Sequence, residues 1–189
     1  MPNLVFVRHS QTQPDPEIPS PEWSLSEEGR RRCEPLARQL LPYHPDVIVT
    51  STEPKAIETG NLIAQRLGIP CQEMANLHEH ARETAPYFDT REEFLEAVNN
   101  LFSRPTELVF GEETGLEARE RFTGAVESVL RAYPQENIAI VTHGTVLSLF
   151  ASQHTEQAIY PFWQSLGLPA IVAFSYPEIK LLAQVNEIV

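Results

Sequence analysis

Two hydrophobic periods alternate along this chain of 189 residues. Short unbroken apolar runs, Leu4-Val5-Phe6-Val7, Val47-Ile48-Val49 and Ile138-Ala139-Ile140-Val141, have no polar face and read as strands covered on both sides. Cys71 to Glu73 reads as a further short strand. Ala170 to Tyr176 and Ile179 to Val185 read as a hairpin turning at Pro177-Glu178. Between the strands, apolar residues recur at helical spacing. Leu36, Leu40 and Leu41 predict a helix starting at Ser26, a good N-cap followed by Glu27 and Glu28, with a kink at Pro35. Ile57, Ile63, Ala64 and Leu67 predict a second, from about Pro54 to the terminator Gly68, capped by Ser51 or Thr52. Further helices are predicted over about Leu116–Ala132 and Thr145–Gln153, followed by a looser segment through Trp163. Trp23, Phe162 and Trp163 read as packing residues.

Two segments break the alternation. Gln13 to Trp23 contains Pro14, Pro16, Pro19 and Pro21, which remove backbone donors and predict an extended loop. Residues 75–115 are rich in charge and turn formers and contain no strand. Within them Thr90-Arg91-Glu92-Glu93 resembles a capping box opening a helix to about Ser103. The whole chain, 1–189, is expected to be one α/β domain, with 75–115 as a lid. The architecture expected is a three-layer α/β/α sandwich with a largely parallel central sheet.

Charge narrows the function. The formal net charge is −12, which disfavours nucleic acid and anionic membranes as partners, because both need a basic face. Any anion site must then be a local cationic pocket, workable because salt screens the acidic surface over about 8 Å. The two cysteines, Cys33 and Cys71, lack metal-ligand spacing and read as reduced thiols of a cytoplasmic protein. No apolar run reaches a membrane span, and Met1-Pro2-Asn3 enters the first strand without a signal-peptide pattern. His78, Glu79 and His80 alternate on a short loop without zinc-protease spacing, so no metal and no cofactor are expected.

Against this background, the polar cluster after the first strand carries the chemistry. Ligands of open α/β sheets bind beyond the carboxyl ends of strands. Arg8-His9-Ser10-Gln11-Thr12 stands at such an end, and Thr142-His143-Gly144 at another. Arg8 is a permanent cation whose fork can hold two oxygens of one phosphate. His9 beside it is a candidate nucleophile, and Gln11 and Thr12 add neutral donors. Lys55, in the first turn of a helix, is unfavourable for the dipole, which hints at another partner such as a bound anion. Gly144 allows close backbone approach to a ligand.

Together these motifs resemble the histidine phosphatase superfamily, also called phosphoglycerate mutase-like. Its Arg-His-Gly-x-Thr is matched by Arg8 to Thr12, and its serine, three residues, arginine and alanine by Ser51 to Ala56. Its Leu-x-Glu is matched by Leu77-His78-Glu79, and its late His-Gly by His143-Gly144. The Leu25-Ser26-Glu27-Glu28-Gly29 helix start and the Gly111-Glu112-Glu113 turn are also similar. The resemblance implies a phosphoglycerate mutase-like fold and a metal-independent phosphatase acting on a small phosphorylated substrate through a phosphohistidine on His9. Arg8, Lys55 and His143 would hold the phosphoryl oxygens, with Ser10, Gln11, Thr12 and Gly144 as further contacts. Glu79 would protonate the leaving oxygen, its pKa raised by an apolar lid. Two departures stand out: Ser10 replaces the family's glycine and Lys55 its arginine. They leave a low-activity phospholigand-binding member as an alternative. A phosphoglycerate mutase is a second alternative, disfavoured by the little chain left after the final strand to close the site. The sequence names neither the ester nor the oligomeric state; Arg82, Tyr87 and Arg104 are candidate lid contacts.

Overall fold

A computed structural model describes residues 2–85 and 87–189. Its strands are β1 (Asn3–Arg8), β2 (Val47–Thr50), β3 (Cys71–Glu73), β4 (Ile138–Thr142), β5 (Ala170–Ser175) and β6 (Leu181–Val185). They form one mixed sheet in the order β3-β2-β4-β1-β5-β6. The first four are mutually parallel; β5 runs antiparallel to β1, and β6 antiparallel to β5.

Alternation along the strands explains the layers. Leu4, Phe6, Ile138, Ile140, Val172 and Phe174 face one core. Val5, Val7, Ala139, Val141, Ile171 and Ala173 face the other. Each buried strand therefore supplies apolar residues to both sides, which is why its sequence shows no polar alternation. Helices α1 (Glu27–Leu40) and α2 (Pro54–Leu67) cover the second face. Helices α3 (Arg91–Ser103), α4 (Gly115–Ala132), α5 (Gly144–Ala151) and α6 (Ile159–Ser165) contribute to the first. The fold is the expected α/β/α sandwich.

Local chemistry accounts for most helix ends. Ser26 accepts the Gly29 N–H at the start of α1 (3.0 Å), and α1 runs on through Pro35. Thr90 and Thr114 close reciprocal capping boxes with Glu93 and Glu117. Three details differ from the sequence reading. The segment before Trp163 contains α6, because Pro161 falls in its first turn, where a missing N–H does no harm. Ser20–Glu22 forms a single 3-10 turn within the proline loop. Neither Ser51 nor Thr52 caps α2: Glu53 holds that position, and its side chain makes no capping bond.

Candidate active site

Strand register brings the two histidines together. Arg8 lies opposite Thr142 in the parallel β1–β4 pair, so the residues after each strand emerge side by side. The His9 N–H extends the ladder by donating to the Thr142 carbonyl (2.9 Å), and the Ser51 N–H after β2 donates to Val141 (3.0 Å). The His9 and His143 rings consequently sit 5.1 Å apart, centroid to centroid.

His9 is only 7% exposed. Its Nδ1 lies 2.8 Å from the Ser10 carbonyl. A carbonyl can only accept, so Nδ1 carries the proton and Nε2 keeps its lone pair. Burial first, then the charges of Lys55 and Arg8, hold the His9 pKa well below its usual value, so the ring is neutral at pH 7. His143 is fully buried and is likewise held neutral, chiefly by burial and then by Lys55. Its Nε2 is 2.6 Å from Ser51 Oγ, while its Nδ1 has no protein partner. Ser51 Oγ already accepts the Glu53 N–H (3.3 Å). The hydroxyl keeps its own proton and a second lone pair, so it can pair with either tautomer of His143.

Two cations adjoin the rings. Arg8 donates through Nη1 to the Leu166 carbonyl at the end of α6, a favourable place for positive charge, and its buried Nε is unpartnered. Burial lowers its pKa to about 10, which still leaves it charged. Lys55 is buried in the first turn of α2. The partner its position hinted at is a carboxylate: Nζ pairs with Glu53 Oε2 and donates to the carbonyls of Ser20 (2.7 Å) and Pro21 (3.4 Å) in the proline loop.

Glu79 is buried against the start of α5. It accepts the N–H groups of Thr145 (3.0 Å), Val146 (3.1 Å) and His80 (2.9 Å), with Arg82 Nη2 3.5 Å away. Burial alone would raise its pKa. Arg82 and the N–H donors outweigh burial and hold the carboxyl well below the usual carboxylate range. The expectation of a raised pKa is therefore reversed, because Arg82 supplies a cation and α5 a helix end. Arg121 on α4 fixes this segment. It donates to the carbonyls of Asn76 (2.9 Å), His78 (3.0 Å) and Glu79 (2.9 Å), and to Glu113.

Not every anticipated contact lies in the pocket. The Ser10 hydroxyl donates to the Gly29 carbonyl (2.7 Å) and its N–H to Thr59 Oγ1 (3.0 Å), so both donors are spent within the protein. Gln11 accepts Ser26 through its carbonyl, and Thr12 bridges to Leu25; their backbones anchor the loop to the start of α1. His80 Nε2 bonds the Glu113 carbonyl (2.7 Å), and among the described residues no three His, Cys, Asp or Glu side chains cluster as metal ligands. Sequence reasoning passed over Glu53 and Arg121. Glu53 had one signal, an unusual acid two residues before the motif's cation. Arg121 had none, since it looks like any helix-surface arginine.

A cleft of about 560 Å³ opens beside the proline loop, walled in part by Ile18, Pro19, Trp23, Arg82, Tyr87 and Phe94. Trp23 is half-buried in this wall and meets Tyr87 at 6.4 Å between ring centroids. Arg8, His9 and His143 are not in the cleft wall. Arg82 connects the two regions, its guanidinium 5.6 Å from the Phe94 ring centroid and beside Glu79.

Sheet order, antiparallel edge and helix layers define a phosphoglycerate mutase-like α/β protein. Bacillus stearothermophilus YhfR matches with a TM-score of 0.74 at 21% identity, covering 100% of this chain and 98% of that one. A mutant phosphoserine phosphatase from Entamoeba histolytica, solved with phosphoserine, matches with a TM-score of 0.78 at 16% identity, covering 98% of each chain. Residues 4–177 match the family model of the histidine phosphatase superfamily (branch 1), and the chain belongs to that family. An uncharacterized phosphatase, PhoE of Bacillus subtilis (strain 168), is 26% identical over 152 residues, 76% of this chain and 72% of PhoE. Family and relative together indicate a phosphatase.

Proposed function

We propose that this protein hydrolyses a phosphate monoester through a phosphohistidine on His9, without a metal. The observation that carries the reading is the His9 tautomer: Nδ1–H is given to the Ser10 carbonyl, which leaves the Nε2 lone pair free beside His143. In the first step Nε2 attacks phosphorus, the bond to the ester oxygen breaks, and that oxygen takes a proton from Glu79. In the second, water attacks phosphorus, gives its proton to the Glu79 carboxylate, and the P–N bond breaks to release phosphate. Arg8, Lys55 and His143 stabilise the charge spread over the equatorial oxygens. Arg82 and the N–H donors hold Glu79 ionised, so it takes its proton from solvent when a phosphoryl dianion draws on Arg82 and raises the carboxyl pKa. The leaving group extends past Arg82 towards the aromatic cleft.

The low-activity phospholigand-binding reading draws on one observation, the prior engagement of Lys55 by Glu53 and the proline loop. p-Nitrophenyl phosphate separates the two. We expect turnover that survives EDTA, is abolished in His9→Ala, and passes through an acid-labile phosphoenzyme trapped from labelled substrate. Tight vanadate binding with no turnover of any ester would favour the binding module. A screen of phosphorylated metabolites then identifies the ester.

A further inference from the structure

Glu53 is an acid placed inside a pocket meant for an anion. It is 7% exposed, and although it stands at the N-cap of α2 its carboxylate does not cap the helix. The carboxylate is turned to the site instead: Oε2 pairs with the Lys55 ammonium, and Oε1 accepts the Glu79 N–H (2.7 Å) and lies 3.5 Å from His143 Nε2. One side chain thus touches the cation, the acid and the second histidine of the centre.

We propose that Glu53 is the residue that sets how tightly this pocket holds an oxyanion, by offsetting Lys55, so that product phosphate can leave. The proposal rests on the phosphatase reading. Arg8, Lys55 and Arg82 place three positive charges around a buried spot where Glu79 supplies one negative charge. Without Glu53 the pocket would present a net charge of about +2 to a phosphoryl dianion in a low-dielectric setting, where such attraction is strong. Binding that is equally strong for ground state and transition state does not raise kcat, and it retains the product. Glu53 lowers that charge by one unit while its second oxygen fixes the backbone of Glu79. It therefore acts as a positioning residue that tunes the site through Lys55, without touching the reacting atoms.

The test is Glu53→Gln, which keeps an oxygen for the Glu79 N–H but removes the charge. Steady-state hydrolysis of p-nitrophenyl phosphate is measured with inorganic phosphate as competitor. The expected result is a Ki for phosphate at least fivefold lower, with KM and kcat falling together, and values near wild type in Glu53→Asp. A folded Glu53→Gln protein whose phosphate Ki is unchanged or raised overturns the proposal and leaves Glu53 a structural residue. Should that variant not fold, the comparison is made on a Lys55→Gln background. There, adding Glu53→Gln must restore phosphate affinity, and a failure to restore it is equally fatal. Wild-type protein that turns over no ester and binds no phosphate would overturn the phosphatase reading itself, and this proposal with it.

Discussion

A Cβ at position 144 would lie 2.9 Å from Arg8 Nε and 3.1 Å from the Trp163 indole nitrogen. The glycine is there for close approach, since its φ is not in the left-handed region. What approaches is the Arg8 guanidinium, whose Nε is one of the unpartnered buried atoms. Gly144→Ala should push Arg8 out of register, cost about 1–3 kcal/mol by overpacking, and reduce activity about tenfold or more. Thermal melts and p-nitrophenyl phosphate kinetics check both; full activity would mean that Arg8 is not needed where it stands. Ser10 answers a different question. The hydroxyl that departs from the family pattern is satisfied by Gly29, so this substitution adds neither a ligand contact nor an unpaired polar group.

At the scale of elements, the site is assembled by segments that each fix one another's ends. Glu79 reaches the N–H groups of α5 as an anion would, while the Arg121 side chain of α4 holds three carbonyls of the segment carrying Glu79. Arg121→Ala would leave those carbonyls and Glu113 without their cation. Bonds to charged groups contribute about 1.5–3 kcal/mol each, less here for partial exposure, so we expect a loss of about 2–4 kcal/mol. Chemical denaturation measures that loss. Activity should fall through kcat more than KM, because the affected residue is Glu79 rather than the Arg8 side of the pocket. The Thr90 capping box and the Ser26 cap were legible in the sequence because each is a contact between residues three apart. The Arg121 contacts to the three carbonyls span 42 to 45 positions and have no local pattern to read.

For the molecule as a whole, the buried centre makes stability depend on pH. His9 and His143 have folded-state pKa values well below 6.5, so the unfolded chain binds more protons than the folded one as pH falls through 6.5. The stability they supply is complete above that pH and is lost progressively below it. Glu79, depressed from about 4.5, adds a second loss at lower pH of the same sign. The melting temperature should therefore decline from pH 7 to pH 5 and more steeply below pH 4.5. A flat profile over pH 5–7 would contradict neutral, buried histidines. The −12 net charge opposes part of this trend, since acidification relieves surface repulsion, so the histidine effect is best read as the difference between wild type and His143→Asn.

The sequence by itself determined the strands, most helices and which candidate groups stand at the strand ends. Apolar runs, caps and prolines act within a few residues, and the Arg8-His9 and His143-Gly144 pairs sit next to the strands that present them. Only the tertiary structure decided what those groups are bonded to. Register across β1 and β4 joined the histidines, α5 and Arg82 made Glu79 an ionised helix-end ligand, and α2 delivered Glu53 beside Lys55. The physical reason is distance along the chain: a pKa or a tautomer depends on neighbours chosen by packing, and packing unites residues that no local pattern connects.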